Sequence, residues 1–402
     1  MGKVVINLNI LFVTLNPVET NSSAMLRNYA LIKGLLLNDC EIEILTIPAL
    51  ETMPSYDTSL KWDDKVQITK LSNDKVYVNL VNNQESYLGK WKKKLLPYLR
   101  FFYHKISLFD YTINIAHNAS PDKLKKNYYD VIISSSDPKS SHYAVEELIT
   151  KGIKYGKWIQ YWGDPMANDI TNNTLLPKKY IEYKEKRILK LADSIIYVSK
   201  FTLIEQRKLF PELKDKMDVI PIPYIKKKVY PIRKNVIDFK LSYLGDYNST
   251  IRNLKPLYDT IEGLGDEKIE LTIAGNSDLK LQNKNNIEIL PRVNQANLEN
   301  IEEKSDVLVC LLNTKGSQIP GKVYHYAATN KPILVILDGE EPRKGEIRKY
   351  LESFDRYILC DNDTENLKKT IKKIKTNNIP LKNMPSRFFE PSFIAKNFLN
   401  KI

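Results

Sequence analysis

Residues 307–337 read VLVCLLNTKGSQIPGKVYHYAATNKPILVIL. The apolar run Val307–Leu312 has strand length, and so does Pro332–Leu337. Between them a glycine-bearing loop opens a helix with Lys322 in its first turn. Strand, helix and strand at this spacing form the repeating unit of a parallel sheet covered by helices. The same alternation extends in both directions. Tyr357–Cys360 reads as a further strand, and Phe239–Leu244, Ile269–Ala274 and Ile287–Leu290 precede the quoted stretch. It pauses at residues 220–234, IPIPYIKKKVYPIRK, where three prolines and a basic cluster suit neither a helix nor a central strand. Before the pause, strands are expected at Leu8–Leu15, Glu41–Ile47, Asp130–Ile133, Trp158–Tyr161 and Ser194–Val198, with a helix at Ser22–Leu37. The expectation is an α/β protein of two units, residues 1–225 and 226–385. Residues 386–402 close the chain with a short amphipathic helix, Pro391–Ile402, for which packing against either unit is open, the first among them.

The 402 residues are 27% charged and 43% hydrophobic, which excludes a wholly disordered or collagen-like chain. The net charge of +13 points to an anionic partner such as phosphate, an anionic membrane face or nucleic acid. Cys40, Cys310 and Cys360 are far apart and form no CxxC, which disfavours a disulfide framework or a zinc site. No apolar run reaches the roughly 18 residues of a membrane span. Val4–Leu15 is interrupted by Asn7 and Asn9 and reads as a first buried strand, so a cytoplasmic protein is expected.

One segment breaks the alternation. Tyr87–Lys126 carries nine Lys and Arg residues against Asp110 and Asp122, leaving +7, more than half of the net charge. Trp91, Tyr98, Phe101, Phe102, Tyr103 and Phe109 are interleaved with the lysines. A basic amphipathic stretch with aromatics suits an anionic membrane surface. A helix pair with core aromatics and a solvated lysine face fits equally. No RRM, KH or zinc signature supports RNA.

Gly316-x4-Gly321-Lys322 has the outline of a phosphate-cradling loop. Val323 stands where a Mg²⁺-binding Ser or Thr belongs, and Pro320 removes an amide, so a P-loop NTPase is not expected. The loop still favours phosphate, through helix-start amides and Lys322. Its context strengthens this. Gly245-Asp246 ends one strand and Arg252 is expected to open the next helix; Gly275 and Arg292-Val293 follow two more strands. Ligands of open α/β sheets sit at such strand ends. Arg252 and Lys322 together suit a diphosphate, Arg as a bidentate fork and Lys as a point charge.

The order LGDYNSTIRN, IELTIAG, ILPRV, SDVLVCLL and PGKVYHYAATNKPILVI resembles the nucleotide-sugar half of GT-B glycosyltransferases, in particular glycosyltransferase family 4. YDVIISSSDPKSSH, KWIQYWGDPM, LADSIIYVSKFT and DVIPIPY resemble successive landmarks of that family's acceptor half. The resemblance implies two Rossmann-like domains facing across a cleft. It implies retaining transfer of a sugar from a UDP- or GDP-linked donor, with no other cofactor and no metal. Arg252 and Lys322 match the basic pair on the donor diphosphate. Gly245 matches the glycine that the donor approaches, with Asp246, Gly275, Gly316, Gly321 and Tyr326 beside it, and Arg292-Val293 match the segment beside the base. Asp164 matches an acidic position that orients an acceptor hydroxyl; as a residue before Pro165 it also suits a helix N-cap. Asn21, Ser22, Ser136 and Asp137 are the expected acceptor-side residues.

Three departures stand out. The family's usual Glu-x7-Glu pair falls on Ser317 and His325, which retain hydrogen bonding without a carboxylate's charge. No histidine follows the strand ending at Ile133; His142 falls inside the next helix, on its face. The loop Asn16–Ser23 lacks the usual double glycine. The resulting expectation is a hexosyl transferase acting on a saccharide or lipid-linked acceptor, in capsule, O-antigen or other cell-surface polysaccharide synthesis at the inner membrane face, without a nucleic-acid partner. A non-catalytic scaffold subunit and a sugar-nucleotide epimerase are the alternatives.

Overall fold

The computed structural model describes residues 7–53, 55–72, 105–170, 174–231, 233 and 238–402. The chain divides into two units, Met1–Ile225 with Pro391–Ile402, and Lys226–Glu390.

The first unit is built on a parallel sheet of β1 (Asn9–Val13), β2 (Glu41–Thr46), β3 (Gln67–Lys70), β4 (Tyr128–Ser135), β5 (Lys154–Trp162), β6 (Ser194–Tyr197) and β7 (Met217–Val219), in the order β3-β2-β1-β4-β5-β6-β7. Residues 10–13 of β1 and 158–162 of β5 are buried without a break, as a strand covered on both faces requires. Helices α1 (Ser23–Leu36), α2 (Ile113–Ala116), α3 (Ser140–Thr150), α4 (Lys178–Leu191) and α5 (Lys200–Leu209) connect the strands. The edge strands β3 and β7 were not expected from sequence. They are short, polar and partly exposed, so neither leaves an apolar run to read.

The second unit repeats the plan with β8 (Phe239–Leu244), β9 (Ile269–Ala274), β10 (Ile287–Leu290), β11 (Val307–Leu311), β12 (Ile333–Leu337) and β13 (Ile358–Asp361), in the order β10-β9-β8-β11-β12-β13. Its helices are α6 (Lys255–Glu262), α7 (Gln295–Lys304), α8 (Gly321–Tyr326), α9 (Arg343–Glu352) and α10 (Thr364–Lys375). The chain then returns to the first unit as α11 (Pro391–Leu399). There Gly34 of α1 admits the carbonyl of Pro391, which would lie 2.1 Å from any added Cβ. Asn38 Nδ2 donates to the Ser392 carbonyl at 3.0 Å, and Phe398 meets the ring of Tyr161.

At the described end of the basic aromatic segment the aromatics are half-buried against the core. Phe109 packs edge-on against Tyr143 at 4.7 Å, and Leu108 and Tyr111 pack beside it. Lys126 pairs with Glu41. Lys90, Trp91, Lys92, Lys93, Lys94, Tyr98, Arg100, Phe101, Phe102 and Tyr103 lie outside the described residues.

Candidate functional site

Strand order in the second sheet reverses between β8 and β11. The connections leaving those two strands diverge, and a ligand crevice forms where they part. Asn313, just past β11, accepts from Arg252 Nε at 2.7 Å. Sequence reading placed Arg252 at a helix start, but α6 begins three residues later, at Lys255. The cause is Asn248, whose Oδ1 collects the amide N–H groups of Thr250, Ile251 and Arg252 and holds a turn ahead of the helix. Thr314 N donates to the Ile251 carbonyl at 2.8 Å and fastens that turn to the β11 end. The guanidinium is therefore fixed in place, and it makes no ion pair among the described residues.

Lys322 lies in α8, half-buried, with Nζ 5.5 Å from the centre of the Tyr326 ring. Among the described residues no carboxylate lies within ion-pairing distance of it. Burial, with a push from Lys228 and Arg292, presses its pKa below the ordinary lysine value against the pull of Glu302. The Glu302 carboxylate is engaged by Lys228 at 2.9 Å and the Tyr230 hydroxyl at 2.6 Å. Burial pushes the Cys310 thiol of β11 up to about 12, while the charges of Arg252 and Lys322 both act to lower it, so the two cations bear on one strand end. Helix α8 has only six residues, and the expected attraction of its amino end is correspondingly small. The positive field here comes from side chains.

The remaining expected donor residues divide by role. A Cβ on Gly275 would lie 2.1 Å from the Gly245 carbonyl oxygen, so this glycine lets two strand ends touch. Gly275→Ala is accordingly expected to destabilise the second unit by about 2–4 kcal/mol, because backbone rather than a flexible side chain must yield; a thermal midpoint within 1 °C of the parent would contradict the packing. Gly245 differs: a Cβ there meets only the Tyr243 hydroxyl, at 3.9 Å. Asp246 is structural, accepting from the Asn276 amide at 2.9 Å. Gly316 has φ +82°, the left-handed region, and Arg343 Nε donates to its carbonyl. Ser317 beside it is buried. Gly321 opens α8 after Pro320. Burial and the charges of Lys322 and Lys228 press His325 down to about 3, which leaves a neutral imidazole. The Tyr326 hydroxyl is buried without a hydrogen-bond partner among the described residues. Arg292 is exposed and Val293 half-buried, in the turn between β10 and α7.

The first sheet reverses between β1 and β4. Beyond β5, Asp164 follows Gly163. No helix starts at Pro165, since α4 begins only at Lys178, so Asp164 is not an N-cap. Its loop is held by Glu185, whose buried carboxylate accepts from Met166 N and Ala167 N, both at 2.9 Å. Asp164 itself makes no hydrogen bond or ion pair among the described residues. Burial, then the carboxylates of Asp137 and Asp169, raise its pKa to about 6. Lys139 stands 3.0 Å from Asp137 and 3.1 Å from Asp169. Burial acts to lower its pKa, but the surrounding carboxylates outweigh it and keep the ammonium charged. Buried Arg27 lies over the Tyr161 ring, and a Cβ on Gly163 would strike its Nη1 at 2.1 Å.

Of the expected acceptor-side residues, Ser22 and Asp137 line an open cavity of about 570 Å³ at the β1/β4 reversal. Ser22 also caps α1, accepting from Met25 N at 3.2 Å. Ser136 is buried and accepts from Gly163 N, and Asn21 is tied to Asp57. His142 lies inside the core rather than on an open helix face, stacked 4.2 Å from Trp162 with Nδ1 at 2.7 Å from Ser134 Oγ. Sequence reading missed Asn313, Lys139, Arg27 and Glu185. Only Glu185 left a signal, as a carboxylate on the buried stripe Ile181, Glu185, Ile188 and Leu189 of α4. Among the described residues no group of three or more His, Cys, Asp or Glu is placed to hold a metal.

No family model matches the sequence, and no curated protein matches it. Solved structures do match over nearly the whole chain. A UDP-forming α,α-trehalose-phosphate synthase from Burkholderia xenovorans, solved with glucose-6-phosphate, shares 10% identity at a TM-score of 0.56, covering 98% of this chain and 99% of that one. A glycosyltransferase from Rickettsia africae shares 13% at 0.53, covering 98% and 97%. A Listeria monocytogenes protein provisionally assigned as a UDP-N-acetylglucosamine 2-epimerase shares 13% at 0.51, covering 98% and 95%. The chain has the GT-B fold of two Rossmann-like units.

Proposed function

We propose that the protein is a retaining glycosyltransferase that takes a UDP- or GDP-linked hexose in its second unit and a saccharide acceptor in its first. The observation that carries this reading is the pair Arg252 and Lys322, two cations without a carboxylate partner among the described residues, at the strand-order reversal of the second sheet. Burying charge without a counter-ion is unfavourable, and a nucleoside diphosphate supplies the missing anion. The open space above Gly245 leaves room for it. Fixed positive charge facing the departing diphosphate lowers the barrier without a metal ion. Neutral His325 and Ser317 take the place of the carboxylate pair in holding hydroxyls of the donor. Asp164 orients the incoming hydroxyl. The fold shared with a UDP-forming synthase supports the reading by analogy.

Calorimetric titration with UDP and GDP in EDTA tests it. One nucleotide binds the parent, and Arg252→Ala weakens binding at least tenfold. Equal affinity in both proteins, or binding only after Mg²⁺ or Mn²⁺ is restored, contradicts the site. The fold shared with the Listeria protein favours epimerase chemistry as a second reading, which product analysis separates. A scaffold subunit would release no nucleoside diphosphate.

The proposal extends to a lipid-linked acceptor at the inner face of the membrane, in synthesis of a cell-surface polysaccharide. It rests on the charge of Lys90–Lys126 and on the aromatic residues Trp91, Phe101 and Phe102. Sedimentation with vesicles containing anionic lipid is expected at low salt and is expected to weaken as salt rises. Retention in the supernatant at low salt, or no change when Lys92, Lys93 and Lys94 become Glu, removes the membrane from the account.

A further inference from the structure

The cavity at the β1/β4 reversal differs in charge from the β8 and β11 ends of the second unit, where Arg252 and Lys322 stand. Its volume, about 570 Å³, falls within the roughly 300–1,000 Å³ typical of small-ligand pockets. Asn16 and Ser22 face it from the β1 side, Asp137 and Lys139 from the β4 side, and Phe109 to Tyr111 close one wall. Its one lining cation among the described residues, Lys139, already has two of its three N–H donors committed to Asp137 and Asp169. The Asp137 side chain is 40% exposed and so meets whatever enters. Asp110, also in the lining, is half-buried and accepts from Thr112 and Ser140. A phosphate dianion placed here meets carboxylate with no uncommitted guanidinium or second ammonium among the described lining residues, a like-charge contact that works against binding. Hydroxyl or ammonium groups instead find an acceptor in Asp137, while the Asn16 amide is already tied to Thr20 and Ser22. The C–H face of a sugar ring packs on aromatic surface, which Phe109 and Tyr111 provide.

We infer that this cavity binds an uncharged or amino-bearing sugar ring and rejects a phosphorylated one. The inference rests on the transferase reading above, because it names the class of acceptor end that the first unit holds. Any phosphate of a lipid-linked acceptor then lies outside the cavity, and the ring is the part recognised.

The test is saturation-transfer NMR on the full chain with glucose, N-acetylglucosamine, glucosamine, glucose 6-phosphate and, separately, UDP. At least one of the first three sugars is expected to receive saturation at five times the level of glucose 6-phosphate or more. Tyr111→Ala and Asp137→Ala are expected to lower that signal severalfold. Asp137→Asn, which keeps the shape and removes the charge, narrows the discrimination against glucose 6-phosphate. Preference for the phosphorylated sugar, no saturation of any sugar, or unchanged discrimination in Asp137→Asn overturns the inference. The UDP arm is independent: absence of a UDP signal counts against the transferase reading, while the sugar arm still decides this one.

Discussion

Lys322→Ala is expected to lower turnover of the nucleotide-sugar by about 10²–10³-fold while leaving the protein folded. The size follows from removing one fixed charge that faces a leaving group as its charge develops. The fold survives because Lys322 makes no ion pair among the described residues and burial already works against its charge. Removing an unpaired, half-buried ammonium costs little and relieves a desolvation penalty. The variant also gives up the placement of the ammonium over the Tyr326 ring. Turnover and thermal midpoint measured on the same preparation check both halves. Normal turnover in a folded variant would remove the phosphate assignment; a collapsed midpoint would show that Lys322 is structural.

Asp164→Asn is expected to lower transfer by about 10²-fold or more, the range lost with a group that positions or accepts a proton. The parent should lose activity on the acid side with an apparent pKa near 6, the value to which burial and the Asp137 and Asp169 carboxylates raise this group. The variant should show no such limb. Stability should move the other way. The folded-state pKa lies above the ordinary 3.8, so the folded protein binds the proton more tightly than the unfolded chain. The stabilising contribution of Asp164 is complete below about pH 3.8 and is lost as pH rises through 6. The Asn variant should therefore gain on the parent at pH 8 and lose that advantage at pH 4. Denaturant midpoints at the two pH values check the sign, and an equal difference at both would contradict the environment assigned to Asp164.

These two residues mark how far the sequence could be read. β8, β9 and β10 have the bounds read from their sequence, although β10 is an edge strand that exposes Glu288. β3 and β7 escaped because they are short and broken by polar residues, Gln67 and Lys70 in one and Asp218 in the other. Arg252 was assigned to the right strand-end region and to the wrong element. Asn248 inserts a side-chain-bonded turn that helical periodicity does not report. Asn313 and Lys139 act through partners 61 and 30 residues away, which local pattern does not reveal. Glu185 stands on the buried stripe of an amphipathic helix, where a carboxylate needs donors. Its donors, Met166 N and Ala167 N, are the loop amides beside Asp164.

The most direct measurement incubates the protein with UDP- and GDP-linked hexoses in EDTA and follows the products by NMR. The account predicts release of UDP or GDP from one donor, with the sugar's new bond in the donor's own anomeric configuration, and loss of that release in the Arg252→Ala and Lys322→Ala variants. A donor interconverted to its epimer, or no nucleoside diphosphate released from any donor, would contradict it.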